Sequence, residues 1–161
     1  MKLVLGTVQF GYKYGISNYS GQTSVAEVNK ILQFAYKNGI NILDTASNYG
    51  DSEKIIGTYL NDNPDQVWSV ISKSSSKENN TDLNRNFNQS KSILGSSLIT
   101  YLAHDARQFI SNKELREYLY QLKISNRIKK IGISVYSYQD IIDILNTGNI
   151  DIIQLPINIL D

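Results

Sequence analysis

Four side chains in this sequence have the types and the placement to do chemistry together: Asp44, Tyr49, Lys73 and His104. A phenol is a weak acid at neutral pH, with an ordinary pKa of about 10. A nearby ammonium favours the phenolate and so makes the phenol a better proton donor. Lys73 can play that part, Asp44 can hold the lysine charged and in place, and His104 can donate a hydrogen bond that orients a carbonyl. Such a set suits a carbonyl carbon that accepts hydride, because negative charge then develops on oxygen and a proton must arrive there. Taken singly, each residue also has a structural reading. A histidine ending a strand is commonly just packed, and a lysine after a strand is commonly a solvated cap. Tyr49 is one of 11 tyrosines, and Asp44-Thr45 can cap a turn. The joint pattern, more than any one member, points to chemistry.

Each of the four lies at or just beyond the end of an apolar run. Asp44 closes Ile40–Leu43, Lys73 follows Val67–Ser72, and His104 follows Leu98–Ala103. Several strands that each deliver a polar residue at the same end are how a parallel α/β enzyme builds a site. Further strands are expected at Leu3–Leu5, at Ile128–Val135 and within Ile150–Leu160. Helical spacing fills the intervals. Ser24 and Glu27 form a capping box before Val28, Ile31, Leu32 and Ala35, and Gly39 sits where a left-handed C-cap is wanted. A second helix spans Ser52–Leu60, and Leu83, Phe87 and Leu94 mark a third. A box at Ser111–Glu114 opens a fourth, and Ser137 caps a fifth that Gly148 closes. Ser74–Asn80 is polar and aperiodic, hence a loop. Gly6, Gly11 and Gly15 read as turn chemistry with no helix directly after them, and Phe10, Tyr12 and Tyr14 either hang over the mouth of a site or do the ordinary packing of a long loop.

Six strands alternating with about five helices mean βαβ units and a parallel sheet covered on both faces. The pattern alone leaves a doubly wound open sheet and part of a (β/α)8 barrel both standing. With 161 residues, 41% hydrophobic and 19% charged, a single packed domain over 1–161 is expected. A net charge of +1 gives no general case for nucleic acid, and the small group Arg127, Lys129 and Lys130 reads as a solvated strand entry. No cysteine and one histidine leave no disulfide framework and no metal site of the usual ligand types. No apolar run approaches the ~20 residues that span a bilayer, and the N-terminus is too short in its apolar part for a signal peptide. A cytoplasmic protein is expected.

The run Gly39 to Gly57, GINILDTASNYGDSEKIIG, resembles GxxxxDTAxxYGxSExxxG of the aldo-keto reductases. Leu5–Gly11 looks like that family's first strand and turn, and Ile71–Lys73 and Leu102–Asp105 like its lysine and histidine strands. Ile131–Ser134 resembles its GxS element, and Asp151–Asn158 its sixth strand. The resemblance implies a (β/α)8 barrel and NADPH (NADP) as cofactor. It implies Tyr49 as proton donor, Lys73 and Asp44 as its tuners and His104 as the residue that positions a small-molecule carbonyl substrate. It places Ser134 and Gln154 at the nicotinamide end, with Gly6, Thr7 and Asp44 also in the cofactor-binding set. Val135 follows the GxS serine where the family often has asparagine, which bears on one carboxamide contact.

A full barrel needs about 250 residues. This sequence accounts for six strands, so an incomplete (β/α)8 barrel is expected, with two sheet edges open to self-association. An NADP(H)-dependent oxidoreductase that reduces an aldehyde or ketone is one implied function. A non-catalytic truncated remnant or assembly module of the same fold is the alternative. A barrel enzyme that uses Lys73 as a Schiff-base nucleophile fits less well, because a close carboxylate opposes deprotonation of the amine.

Overall fold

Six strands hydrogen-bond side by side in chain order, and every neighbouring pair is parallel: β1 (Leu5–Gly6), β2 (Ile42–Asp44), β3 (Ser69–Lys73), β4 (Leu98–Ala103), β5 (Lys130–Ser134) and β6 (Ile152–Gln154). This computed structural model describes residues 2–74, 80–147 and 150–157. The helices are α1 (Val8–Gly11), α2 (Val25–Lys37), α3 (Ser52–Asp62), α4 (Asn80–Leu94), α5 (Ala106–Ser111), α6 (Lys113–Ile124) and α7 (Tyr138–Leu145), with a 3-10 turn at Gly95–Ser97. A doubly wound sheet reverses its strand order at a switch point, whereas a barrel adds strands in sequence. The order here is the barrel's, and the fold is an incomplete (β/α)8 barrel. No helix among the described residues is long and apolar enough to cross a membrane.

The local signals act as their chemistry requires. The Ser24 hydroxyl accepts from the Glu27 N–H at 3.3 Å, and the Glu27 carboxylate pairs with Lys30. At the other end of α2, Gly39 takes φ +77°. Gly39 N–H then reaches Tyr36 O at 3.0 Å and Ile40 N–H reaches Ala35 O at 2.9 Å, which satisfies the last carbonyls of the helix.

Two short helices add to the expected five. The first, α1, begins two residues after β1, so the chain beyond Gly6 is a helical turn and not a bare glycine turn. Its turn carries Phe10 into the core, where it is 3% exposed, away from the mouth. The second, α5, is capped by Asp105, whose carboxylate accepts from the Gln108 N–H at 2.8 Å. It claims Ser111, whose hydroxyl donates to Arg107 O, so Asn112 caps α6 in its place by accepting from the Leu115 N–H at 3.1 Å. The strands are shorter than their apolar runs, and Val67 and Ile128 lie outside them. Gly148 and most of the loop after Ser74 lie outside the described residues, as does the end of the Ile150–Leu160 run.

Helix faces cover the sheet with Val28, Leu32, Ile56, Phe87, Leu115, Leu119 and Ile144, which pack with Leu43, Val70, Tyr101 and Ile133 of the strands. In β4 five of six residues are buried, as a strand covered on both faces should be. Two constraints carry this packing to the sheet's C-terminal end. Gly11 sits so close to the loop after β2 that a Cβ there would lie 1.5 Å from Tyr49 O, so only glycine lets α1 press against that loop. Glu53, near the start of α3, is buried with no cation paired to it among the described residues. Its carboxylate accepts from Ser72 Oγ at 2.6 Å and Ser90 Oγ at 3.0 Å, which ties α3 to β3 and α4.

Burial pushes the Glu53 carboxyl above its ordinary 4.5, against the two serine hydroxyls that favour the charged form. A carboxyl whose folded pKa is raised gives stability that is full below its unfolded value and is lost as pH rises through the folded one. Glu53→Gln therefore gains stability relative to the unmodified chain as pH rises from about 4 to 7, read as urea midpoints at each pH. An equal gap at both ends of that range would show that the carboxyl is not perturbed.

Candidate active site

The C-terminal ends of β2, β3 and β4 bring the four side chains together. Asp44 is the last residue of β2, Lys73 the last of β3, and His104 the first beyond β4. The Lys73 side chain is 2% exposed and that of Asp44 14%. Lys73 Nζ donates to both Asp44 carboxylate oxygens at 2.8 Å and to Thr45 O at 3.0 Å. An ammonium has three protons, and these three acceptors take them. The backbone of Lys73 is held as well: its carbonyl accepts from Ser47 N–H at 3.2 Å and from the Ser47 hydroxyl at 3.1 Å.

Tyr49 lies over this pair. Lys73 Nζ is 5.1 Å from the centre of its ring. The His104 ring stands edge-on to it at 5.8 Å and 75°, and Tyr12 does the same at 6.5 Å and 85°. Tyr14 packs on Tyr12 in turn, and both are exposed. Of the three aromatic residues read as mouth or packing, Tyr12 and Tyr14 are therefore at the mouth.

The electrostatics differ from expectation in one respect. The Tyr49 phenol is pushed up, first by burial and then by the negative charge of Asp44, with smaller pushes from Tyr136, Tyr12 and Tyr14. Lys73 is not among the groups that shift it at rest, so the downward pull expected of the lysine is absent. Burial pulls Lys73 itself down, and Asp44 opposes this by charge and by hydrogen bond. Burial and then the Lys73 charge lower His104, opposed by Asp44, Asp105 and a hydrogen bond to the Ser74 backbone. At neutral pH the arrangement is a protonated phenol beside a neutral imidazole. A neutral imidazole carries one N–H to donate, and the phenol keeps its proton until negative charge appears next to it.

The remaining candidates lie along the same end of the sheet. Ser134 and Gln154 end β5 and β6 and are partners in register. Gln154 Oε1 is buried without a hydrogen-bond partner among the described residues. Val135 is fully buried, so its side chain belongs to the core. Gly6 ends β1 beside Asp44, with open space where a Cβ would stand. Thr7 is fully buried, and its hydroxyl is spent on Asp44 O at 2.9 Å, which makes its side chain part of the framework.

Thr45, Ser47 and Ser52 are functional neighbours that residue type and spacing alone do not single out. Their signal was present all the same: three hydroxyl residues within eight positions of Asp44.

A family model described as the Aldo/keto reductase family matches residues 2–160. No curated protein matches the sequence. Among solved structures, a protein of Pseudomonas aeruginosa assigned to the aldo-keto reductases superposes with a TM-score of 0.81 at 26% identity, over 98% of this chain and 64% of that one. An aldo-keto reductase from Bacillus halodurans, in its holo form, gives a TM-score of 0.74 at 20% identity over 96% and 52% of the two chains. An Asp-to-Ala variant of Gox0644 in complex with NADPH gives 0.67 at 24% identity over 94% and 52%. This chain thus spans less than two thirds of the length of each of these proteins. The match over nearly all of its residues, on a sheet of the same kind, shows that the chain belongs to the aldo/keto reductase family.

Proposed function

We propose that this chain carries the proton-donating half of an NADP(H)-dependent oxidoreductase that reduces an aldehyde or ketone to an alcohol. The observation that carries this reading is the convergence of Tyr49, Lys73, Asp44 and His104 at one end of the sheet. Family membership supports the reaction class, and the NADPH complex of the Gox0644 variant supports the cofactor.

The residues present fit the nicotinamide end of such a cofactor. Gln154 Oε1 is a buried acceptor that lacks a donor, and a carboxamide N–H would satisfy it, with Ser134 beside it. When bound, NADPH supplies the hydride. His104 would orient the carbonyl by turning its one N–H from the Ser74 backbone carbonyl to the substrate oxygen. Tyr49 gives its proton to that oxygen as negative charge builds there. The phenolate left behind gains from the Lys73 ammonium beneath its ring, a gain absent while the phenol is neutral and therefore specific to the reacting state. Asp44 keeps Lys73 charged in a site dry enough to neutralise it.

Tyr49→Phe removes the proton and leaves the ring. Turnover should fall by about a hundred- to ten-thousandfold, with NADPH affinity nearly unchanged by calorimetry. Unchanged turnover would remove the mechanism. Calorimetry is the better readout because Trp68, the sole tryptophan, lies before β3 at the opposite end from Lys73, packed on Tyr36 and Tyr59.

A second reading, a non-catalytic module of the same fold, is favoured by the sheet edges. Near β1, Leu3, Val4 and Phe34 are exposed, and beyond β6 so are Leu155 and Ile157. Edges of this kind pair with further chain. If copies pair through them, the mass seen by light scattering rises with protein concentration; a constant monomer mass speaks against it. Absence of any NADPH binding would favour this reading over the enzyme.

A further inference from the structure

We propose that Ser52 is a positioning residue for the reaction, acting through a buried chain of hydroxyls on Asp44 and Thr45, the two residues that hold Lys73. The inference rests on the proposed function for its effect on turnover, but not for its effect on Lys73. Thr7, Thr45 and Ser52 are each 0% exposed. Thr7 Oγ1 donates to Asp44 O at 2.9 Å. Ser52 Oγ lies 2.9 Å from Thr7 Oγ1 and 3.0 Å from Thr7 O. Thr45 Oγ1 lies 3.0 Å from Ser52 Oγ.

Each hydroxyl has one proton to give. That of Thr7 goes to Asp44 O, so that of Ser52 goes to Thr7, and Thr45 must donate to Ser52. The result is a directed relay, Thr45 to Ser52 to Thr7 to the Asp44 carbonyl. It begins and ends on the two residues whose oxygens hold the Lys73 ammonium. Bonds in such a series polarise one another, and in a dry setting they resist displacement more than separate pairs do. Ser52 also reaches the proton donor, because its backbone N–H donates to Tyr49 O at 3.0 Å. One residue at the start of α3 thus fixes both the phenol's loop and the seat of the ammonium beneath it.

The test uses the full chain and reads Lys73 directly by nitrogen-15 NMR of its side-chain ammonium. In Ser52→Ala, exchange of the Lys73 ammonium protons with water should quicken by about tenfold, and turnover should fall about tenfold at unchanged KM for the carbonyl. Exposed lysines such as Lys30 should not change. Thr45→Val removes the first donor and keeps both Ser52 and the Thr45 carbonyl; it should move Lys73 exchange in the same direction, and it decides the matter if Ser52→Ala does not fold. Lys73 exchange equal to that of the unmodified chain in the folded variants would overturn the proposal and leave Ser52 a packing residue. If the unmodified chain shows no turnover, the functional reading fails separately, and Lys73 exchange still judges the role of Ser52.

Discussion

A lysine ammonium that is almost wholly buried dictates the design around it. Removing a charge from water costs several kcal/mol even after relaxation, unless a counter-charge and hydrogen bonds replace the lost water. Here Asp44 supplies the counter-charge and two acceptors, and the Thr45 carbonyl supplies the third. Those oxygens reach the same ammonium only because β2 and β3 are parallel neighbours, with Asp44 opposite Ile71 and Lys73 two residues further on. Sheet register, more than local sequence, therefore creates the ion pair.

In the proposed reaction Lys73 would stabilise a phenolate without producing one early. Burial and Asp44 together keep the Tyr49 proton in place. On that proposal, a donor that holds its proton until a carbonyl oxygen turns negative would lose nothing to idle ionisation, and the ammonium's attraction would enter only as the reaction proceeds. His104 follows the same logic. Held neutral by burial and by Lys73, it would donate its one N–H to a carbonyl without adding a second positive charge to the site. The surrounding glycine and hydroxyl residues serve position. Gly11 admits the Tyr49 loop, Ser47 holds the Lys73 carbonyl, and Glu53 clasps the strand that carries Lys73.

Much of this was legible in the sequence. Long apolar runs, capping boxes and Gly39 mark elements through local chemistry that tertiary structure does not override, and the four polar residues stand out because each follows such a run. The doubly wound alternative could not be dismissed from periodicity, since both architectures share βαβ units and only the spatial order of strands separates them. Helices α1 and α5 escaped notice because elements of one or two turns carry no readable period. The two readings of Phe10, mouth or packing, stayed open for the same reason: without α1, nothing says which way that ring turns. The Ser111 cap failed because two competent caps stood side by side and α5 claimed the first. Thr7 looked like a cofactor contact by resemblance, and only the packing of β1 against β2 and α3 reveals that its hydroxyl faces inward. The upward push on Tyr49 likewise depends on burial and on the distance to Asp44, neither of which a sequence states.

The matched burial of Asp44 and Lys73 is tested most directly by a double-mutant cycle on unfolding free energy, with Asp44→Asn, Lys73→Met and both together. If the pair is buried and mutually satisfied, each single change strands its partner and costs about 3–5 kcal/mol, while the double change costs far less than their sum. Single costs that simply add would mean the two groups do not depend on each other, and the site as described here would not exist.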